Sequence, residues 1–163
     1  YYAKSREAEL AQVDLNAFAQ DLAAIIEPKA AQRGVSFKLE AQADLGEMGM
    51  DETAMSAALV NFLENAVDAC AEDTDKPAHA VTLKVQADAS TVRFEVRDDG
   101  MGMDQETREK MFTLFFSSKG SRGTGLGLFI SNQVVERHGG AIDVASEPGE
   151  GTVITVSIPR KRQ

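Results

Sequence analysis

Three groups of residues in this chain have the types and spacing to do chemistry. The first is Asp98-x-Gly100-x-Gly102, a carboxylate followed by two alternate glycines. The preceding run, Thr91–Arg97, alternates in polarity and is rich in β-formers, so it predicts a strand with Asp98 at its end. The glycines let the backbone turn and let a ligand approach closely. A carboxylate buried there needs a hydrogen-bond donor, which a ligand amine can supply, although the same pattern also suits a plain turn. The second group is Asn61, Asn65 and Asp68, which share one helix face at i, i+4 and i+7. Either that face is solvated, or an amide oxygen on it ligates a hard cation or a phosphate-bound water. The third is Gly123-x-Gly125-x-Gly127, running into a helix. Glycines at a helix start expose N–H groups to an anion, and the helix dipole assists. The polar loop Ser117–Thr124 comes just before, with Lys119 and Arg122, and is itself preceded by Phe112, Phe115 and Phe116. That stretch is a core patch with a surface loop, or a hinged lid carrying cations toward an anion.

Periodicity predicts the elements that must position these groups. Residues 1–12 are polar and helix-prone and look like the end of a helix from a preceding domain. Asp14 or Asn16 caps a helix to about Arg33, with Leu15, Phe18, Leu22, Ile25 and Ile26 on its apolar face and Gly34 closing it. Val35–Glu40 alternates as a strand, and Gln42–Gly49 reads as a loop. A second helix runs from Asp51 to about Ala71 on the stripe Met55, Leu59, Phe62, Leu63, Ala66 and Cys70. A polar loop, Glu72–Ala80, places His79 in solvent. Val81–Ala87 and Thr91–Arg97 form a hairpin, and Asp104 caps a short helix, Gln105–Met111. The helix after the glycines ends near His138, read as a cap that compensates the dipole, and Gly139–Gly140 stops it. Two strands, Ala141–Ser146 and Thr152–Ile158, lead to a solvated basic tail, Pro159–Gln163. This order predicts the α+β class: a two-layer α/β sandwich, with three helices on one face of a mixed five-stranded sheet.

Composition bounds the function. The chain has 163 residues, enough for one domain with a real core. A net charge of −9 argues against a nucleic-acid surface, so an anionic ligand must meet local cations or backbone N–H groups. The single cysteine, Cys70, excludes an internal disulfide and fits a reducing compartment. No run approaches the ~18 apolar residues of a membrane helix, and no signal peptide is present. The sequence opens on Tyr1–Tyr2 without Met and reads as a fragment of a longer protein. The absence of G-x-x-x-x-G-K-[S/T] excludes a P-loop. The Gly123–Gly127 spacing departs from G-x-G-x-x-G, so a Rossmann site fits poorly. Neither paired zinc-ligand spacing nor a nucleophile–base arrangement is visible.

The asparagine helix, Asp98-x-Gly100-x-Gly102, Phe112-x-x-Phe115–Phe116 and Gly123-x-Gly125-x-Gly127 occur in a telling order. Together they resemble the N, G1, F and G2 boxes of bacterial sensor histidine kinases. The match is to the catalytic and ATP-binding domain of the gyrase/Hsp90/histidine-kinase/MutL superfamily. It covers about residues 13–159, and the ending Gly149–Glu150–Gly151–Thr152 fits as well. The resemblance implies the Bergerat ATP-binding fold with an ATP lid over residues 13–163, and a linker or the end of a dimerisation helix over residues 1–12. It implies ATP and Mg2+ as cofactors. Asp98 would accept from the adenine amine, supported by Thr152 through its hydroxyl or a water. Guanine has a carbonyl there, and an acceptor buried against an acceptor is costly. Gly100 and Gly102 would let base and lid approach. Asn65 would hold Mg2+ with Asn61 beside it, and Lys119 would meet the polyphosphate. Gly123, Gly125 and Gly127 would present N–H groups to the phosphates. Asp68, Met103, Phe112, Phe116, Thr124, Leu126 and Leu128 would line the same site, with the phenylalanines anchoring the lid.

The implied reaction moves the ATP γ-phosphate, leaving ADP, to a histidine on a separate dimerisation and histidine-phosphotransfer domain of the same parent chain. A response regulator would act downstream. His79 and His138 are not in an acceptor-helix context, so this chain would bind ATP without phosphorylating itself. The family's ATPases and serine kinases resemble it too, but carry a glutamate base four residues before the Mg2+ asparagine, where this chain has Asn61. A non-catalytic nucleotide-binding module is the remaining alternative. The domain would be cytoplasmic, touching neither nucleic acid nor membrane, whether or not its parent is membrane-anchored.

Overall fold

The computed structural model describes residues 10–103 and 125–160. In chain order the elements are β1 (Ala11–Asp14), α1 (Leu15–Gln32), β2 (Ser36–Ala41), β3 (Glu47–Met50) and α2 (Glu52–Glu72). Then follow β4 (Ala80–Ala87), β5 (Thr91–Asp98), α3 (Gly125–Arg137), β6 (Ala141–Glu147) and β7 (Gly151–Pro159). Five strands form the main sheet in the order β2-β4-β5-β7-β6. Only β2 and β4 pair in parallel, because α2 intervenes between them as a crossover. The other neighbours are antiparallel, so the sheet is mixed, as expected.

Alternation decides which face of the sheet is covered. Val81, Leu83 and Val85 on β4, Val92, Phe94 and Val96 on β5, and Ile154, Val156 and Ile158 on β7 all point inward. The helices supply Leu15, Phe18, Leu22 and Ile26 from α1, and Met55, Leu59, Phe62 and Leu63 from α2. Phe18 meets Phe94 edge-on, with ring centroids 5.9 Å apart. The two-layer sandwich therefore follows the predicted stripes, except that Ile25 is exposed. Asp14 is the N-cap of α1 and accepts from the Asn16 and Ala17 N–H groups. Asn16, the alternative cap, instead ties down the following loop: its amide donates to Gln42 O and accepts from Leu45 N–H. No helix among the described residues is long and apolar enough to cross a membrane.

Four local expectations are corrected. Ala11 and Gln12, read as helix-prone, belong to β1, which pairs antiparallel with β3, three of whose residues lie in the stretch read as a loop, to make a separate two-stranded ribbon. His79 is not in solvent: its side chain is 7% exposed, held between Asp73 and Asp99. Arg160 is not in a solvated tail. Its guanidinium donates to Leu45 O and Asp88 O, at 2.6 and 3.1 Å, and its backbone N–H to Ser90 O. His138 is more than a dipole cap. It is buried, and its Nε2 accepts from Asp51 N–H at 3.0 Å while Nδ1 donates to Val134 O at 2.8 Å.

That geometry fixes His138 as the neutral Nδ1–H tautomer, since Nε2 must keep its lone pair for Asp51. The ring thereby joins the C-terminus of α3 to the N-cap of α2. We expect His138→Leu to leave the Asp51 N–H unpaired and to lower unfolding free energy by about 1–3 kcal/mol. Urea melts of the two proteins check it; an unchanged midpoint would remove the tether.

Candidate functional site

The end of β5 brings Asp98, Gly100, Gly102, Met103 and Thr152 together. Register places Asp98 opposite Val81 on β4 and Thr152 on β7, at the inward positions of a central strand. Asp98 is consequently 7% exposed. Burial pushes its carboxyl up to about 6, against the stabilising pull of the Gly100 and Thr152 backbone N–H groups. The Gly100 N–H donates to Asp98 Oδ1 at 2.9 Å. A carboxylate offers about four acceptor sites, so capacity remains for a ligand donor.

The loop after Asp98 is clamped to the β6–β7 hairpin. Gly149 N–H donates to Met101 O at 2.7 Å, and Met103 N–H donates to Ser146 Oγ at 2.8 Å. Gly102 has φ +71°, and a Cβ there would overlap the carbonyl oxygen of Glu147. Glycine is thus required by both conformation and space. Ser146 Oγ donates to Gly151 O at 3.0 Å and lies 2.8 Å from Thr152 Oγ1. With its one proton on Gly151 O, Ser146 accepts from Thr152, and Thr152 offers only lone pairs to a ligand. Ser146 was not singled out in the sequence. Its signal is a small hydroxyl in register with Thr152, visible only once the strands pair.

The asparagine face of α2 is divided between two neighbours. Asn61 Nδ2 donates to Ser131 Oγ on α3 at 3.1 Å, and Asn65 Nδ2 donates to Asn61 O at 2.9 Å. Asp68 instead takes Arg33 of α1 at 2.7 Å, on an exposed edge. Glu64 turns the same way and pairs with Lys29. Asn61 therefore faces α3, while the acids face α1. Asn65 spends the nitrogen end of its amide on the helix backbone, and its oxygen end is the kind of ligand a hard cation takes.

Gly125, Leu126 and Gly127 open α3, as expected for a helix following the glycine run. Leu128 and Met103 pack against the core. Phe112, Phe115, Phe116, Lys119, Gly123 and Thr124 lie outside the described residues, as does the short helix expected at Gln105–Met111.

Comparison with known proteins gives a consistent answer. A family model described as histidine kinase-, DNA gyrase B-, and HSP90-like ATPase matches residues 50–162, more than half of the chain. The sensor histidine kinase ZraS of Klebsiella oxytoca is 34% identical over 148 residues, covering 90% of this chain and 31% of that protein. The signal transduction histidine-protein kinase AtoS of Escherichia coli (strain K12) is 31% identical over 159 residues, covering 97% of this chain and 25% of that protein. The chain thus spans a third or less of these curated relatives. The catalytic domain of the histidine kinase ThkA superposes with a TM-score of 0.80 at 26% identity, covering 94% of this chain and 99% of that one. Full-length ShkA in complex with AMPPNP superposes with a TM-score of 0.82 at 28% identity, covering 96% of this chain and 32% of that one.

Proposed function

We propose that this chain, which belongs to the histidine kinase-, DNA gyrase B-, and HSP90-like ATPase family, is the ATP-binding catalytic domain of a sensor histidine kinase. It would bind ATP and transfer the γ-phosphate to a histidine on a dimerisation domain of the parent chain, which then serves a response regulator. The observation that carries this over hydrolysis or serine phosphorylation is the amide at Asn61. Water and serine are weak nucleophiles that need a base. Asn61 stands where a base would, on the α2 edge facing α3, and the nearby acid, Glu64, is paired with Lys29 on α1. A histidine acceptor presents its own lone pair and needs no base.

Each group then has a part. Asp98 accepts from the adenine amine, and Thr152 accepts from the base or a bridging water. Asn65 would hold Mg2+, with Asn61 setting its amide. Mg2+ would neutralise charge on the phosphates. The N–H groups of Gly123, Gly125 and Gly127, with Lys119, would add positive charge on the same phosphates. Residues 1–12 would lead from the dimerisation domain, and the cytoplasm, where ATP is, would house the domain.

Two experiments test this. Mixed with a phospho-acceptor dimerisation domain, the chain should transfer label from γ-labelled ATP to a histidine; steady phosphate release without transfer would support the ATPase alternative. Asn65→Ala should abolish the dependence of ATP affinity on Mg2+ in calorimetry. An unchanged Mg2+ response would remove Asn65 as the ligand.

A further inference from the structure

Behind Asp98, on the side away from Thr152, three side chains from distant parts of the sequence converge. Cys70 lies in the last turn of α2, His79 just before β4, and Asp99 just after β5. Their donor atoms all lie within 4.8 Å of one another. Cys70 Sγ is 3.7 Å from Asp99 Oδ1, and His79 Nδ1 is 2.9 Å from the same oxygen. A tetrahedral zinc ion with typical bond lengths holds a sulfur and an oxygen ligand about 3.5 Å apart. The sulfur–oxygen edge is therefore already near that length, and the hydrogen-bonded Nδ1–Oδ1 pair would open slightly to admit the ion. On the far side of the imidazole, His79 Nε2 is 3.1 Å from Asp73 O and 3.4 Å from Asp73 Oδ2. A carboxylate or carbonyl behind the non-ligating nitrogen is the usual support of a metal-binding histidine.

We propose that Cys70 Sγ, His79 Nδ1 and Asp99 Oδ1 form a site for a divalent transition-metal ion of the zinc class, with Asp73 orienting the imidazole and water completing the coordination. The thiolate–imidazole–carboxylate donor set selects such an ion over Mg2+. Cys70 and His79 are shielded, whereas the Asp99 side chain is 48% exposed and opens the path for entry. The charges nearby favour a cation. Asp73 and Asp98 lie beside the cluster, and Lys76 Nζ donates to the main-chain oxygen of Asp99. Without metal the thiol keeps its proton, because burial and the charge of Asp98 push it up to about 12. Binding forms the metal–sulfur bond and releases the thiol proton to solvent, and the imidazole gives up any proton on Nδ1. The ion would pin the end of α2 and the start of β4 to the end of β5, the strand that carries Asp98. The site does not depend on the nucleotide reading.

The test is a Co2+ titration of the metal-free chain without nucleotide. Cys70 is the only cysteine, so a thiolate-to-cobalt charge-transfer band reports this site alone. The band should saturate at one equivalent, disappear when Zn2+ is added, and persist in excess Mg2+. Cys70→Ser should abolish it. His79→Gln, which keeps the thiol, should weaken Co2+ binding by about 100-fold, and Asp73→Asn by about 10–100-fold with the band unaltered in position. Zn2+ should raise the Tm of the parent chain and leave that of His79→Gln unchanged. No band at stoichiometric Co2+ in the folded parent overturns the site, as does unchanged Co2+ affinity in folded His79→Gln. ATP affinity, measured separately, tells a failure here from a failure of the nucleotide site.

Discussion

Asp98→Asn should lower ATP affinity by about 10–100-fold at neutral pH, with cooperative unfolding retained. The magnitude comes from counting acceptors. Asp98 accepts from the Gly100 and Thr152 backbone N–H groups, and an adenine amine adds a third donor. A carboxylate has two oxygens for these three, whereas asparagine has one oxygen and turns an NH2 group toward the others. One buried donor then faces another donor. Calorimetry of the two proteins checks this, and equal affinities would remove Asp98 from the adenine edge. pH supplies a second readout. With the free carboxyl near 6, parent affinity should fall more steeply below that value than the affinity of Asp98→Asn, which keeps only the titration of the ATP phosphates.

The same burial affects stability, with the opposite sign from a salt-bridged acid. The folded-state value, about 6, lies above the 3.8 of a free aspartate, so the folded protein holds the proton more tightly. Stability is therefore lost as pH rises from about 4 to 6 and is level above, by about 3 kcal/mol for this group. The apo domain tolerates a carboxylate that destabilises it at neutral pH, which is the pattern of a group kept for a ligand.

Gly151→Ala should be severely damaging, costing about 3 kcal/mol or more. Gly151 has φ +114°, a conformation L side chains rarely adopt. A Cβ there would overlap the carbonyl oxygen of Asp98 and press on the Asp99 Cα, both main-chain atoms of the central strand's end. Flexible side chains could move aside, but paired backbone cannot without parting β5 from β7. The expected result is a large drop in denaturation midpoint together with weakened ATP binding. The control is Gly149→Ala, which shares a positive φ of +80° but has open space around its Cβ, and should cost less. Similar midpoints for the two variants would show that the close approach to Asp98 is relieved elsewhere.

What the sequence revealed, and what it hid, divides along physical lines. The strands β2, β4, β5, β6 and β7 were legible because each alternates over six to nine residues, and one sheet face must be covered. Asp14, Asp51 and Gly34 marked helix ends through local chemistry. The β1–β3 ribbon was hidden, since its four-residue strands are too short to show a period and β3 contains Gly49. The burial of His79 and the second bond of His138 were hidden for a different reason. Their partners, Asp99 and Asp51, lie far along the chain, so burial of each ring depends on tertiary contacts. In the candidate site, Asp98 and the asparagines were found through spacing within single elements. Ser146 and Ser131 were missed because each acts only across a register or a helix–helix contact. Asp68 shares the predicted face with Asn61 and Asn65, but periodicity could not show that Arg33 would draw it to α1.

The Arg160 latch and the β1–β3 ribbon meet at Glu47, which pairs with Asp14 and whose carbonyl oxygen lies 3.3 Å from the Arg160 guanidinium. The first and last described elements are thus fastened at one corner. A body joined to its surroundings at two distant points can only flex between them, whereas one joined at a single corner can swing and twist as a unit. Any chain leaving either end would start from that corner. Rotation about it would carry the end of β5, with Asp98, as part of the same body. If the domain donates phosphoryl groups as proposed, this shared corner would let it turn as one body rather than rearrange internally.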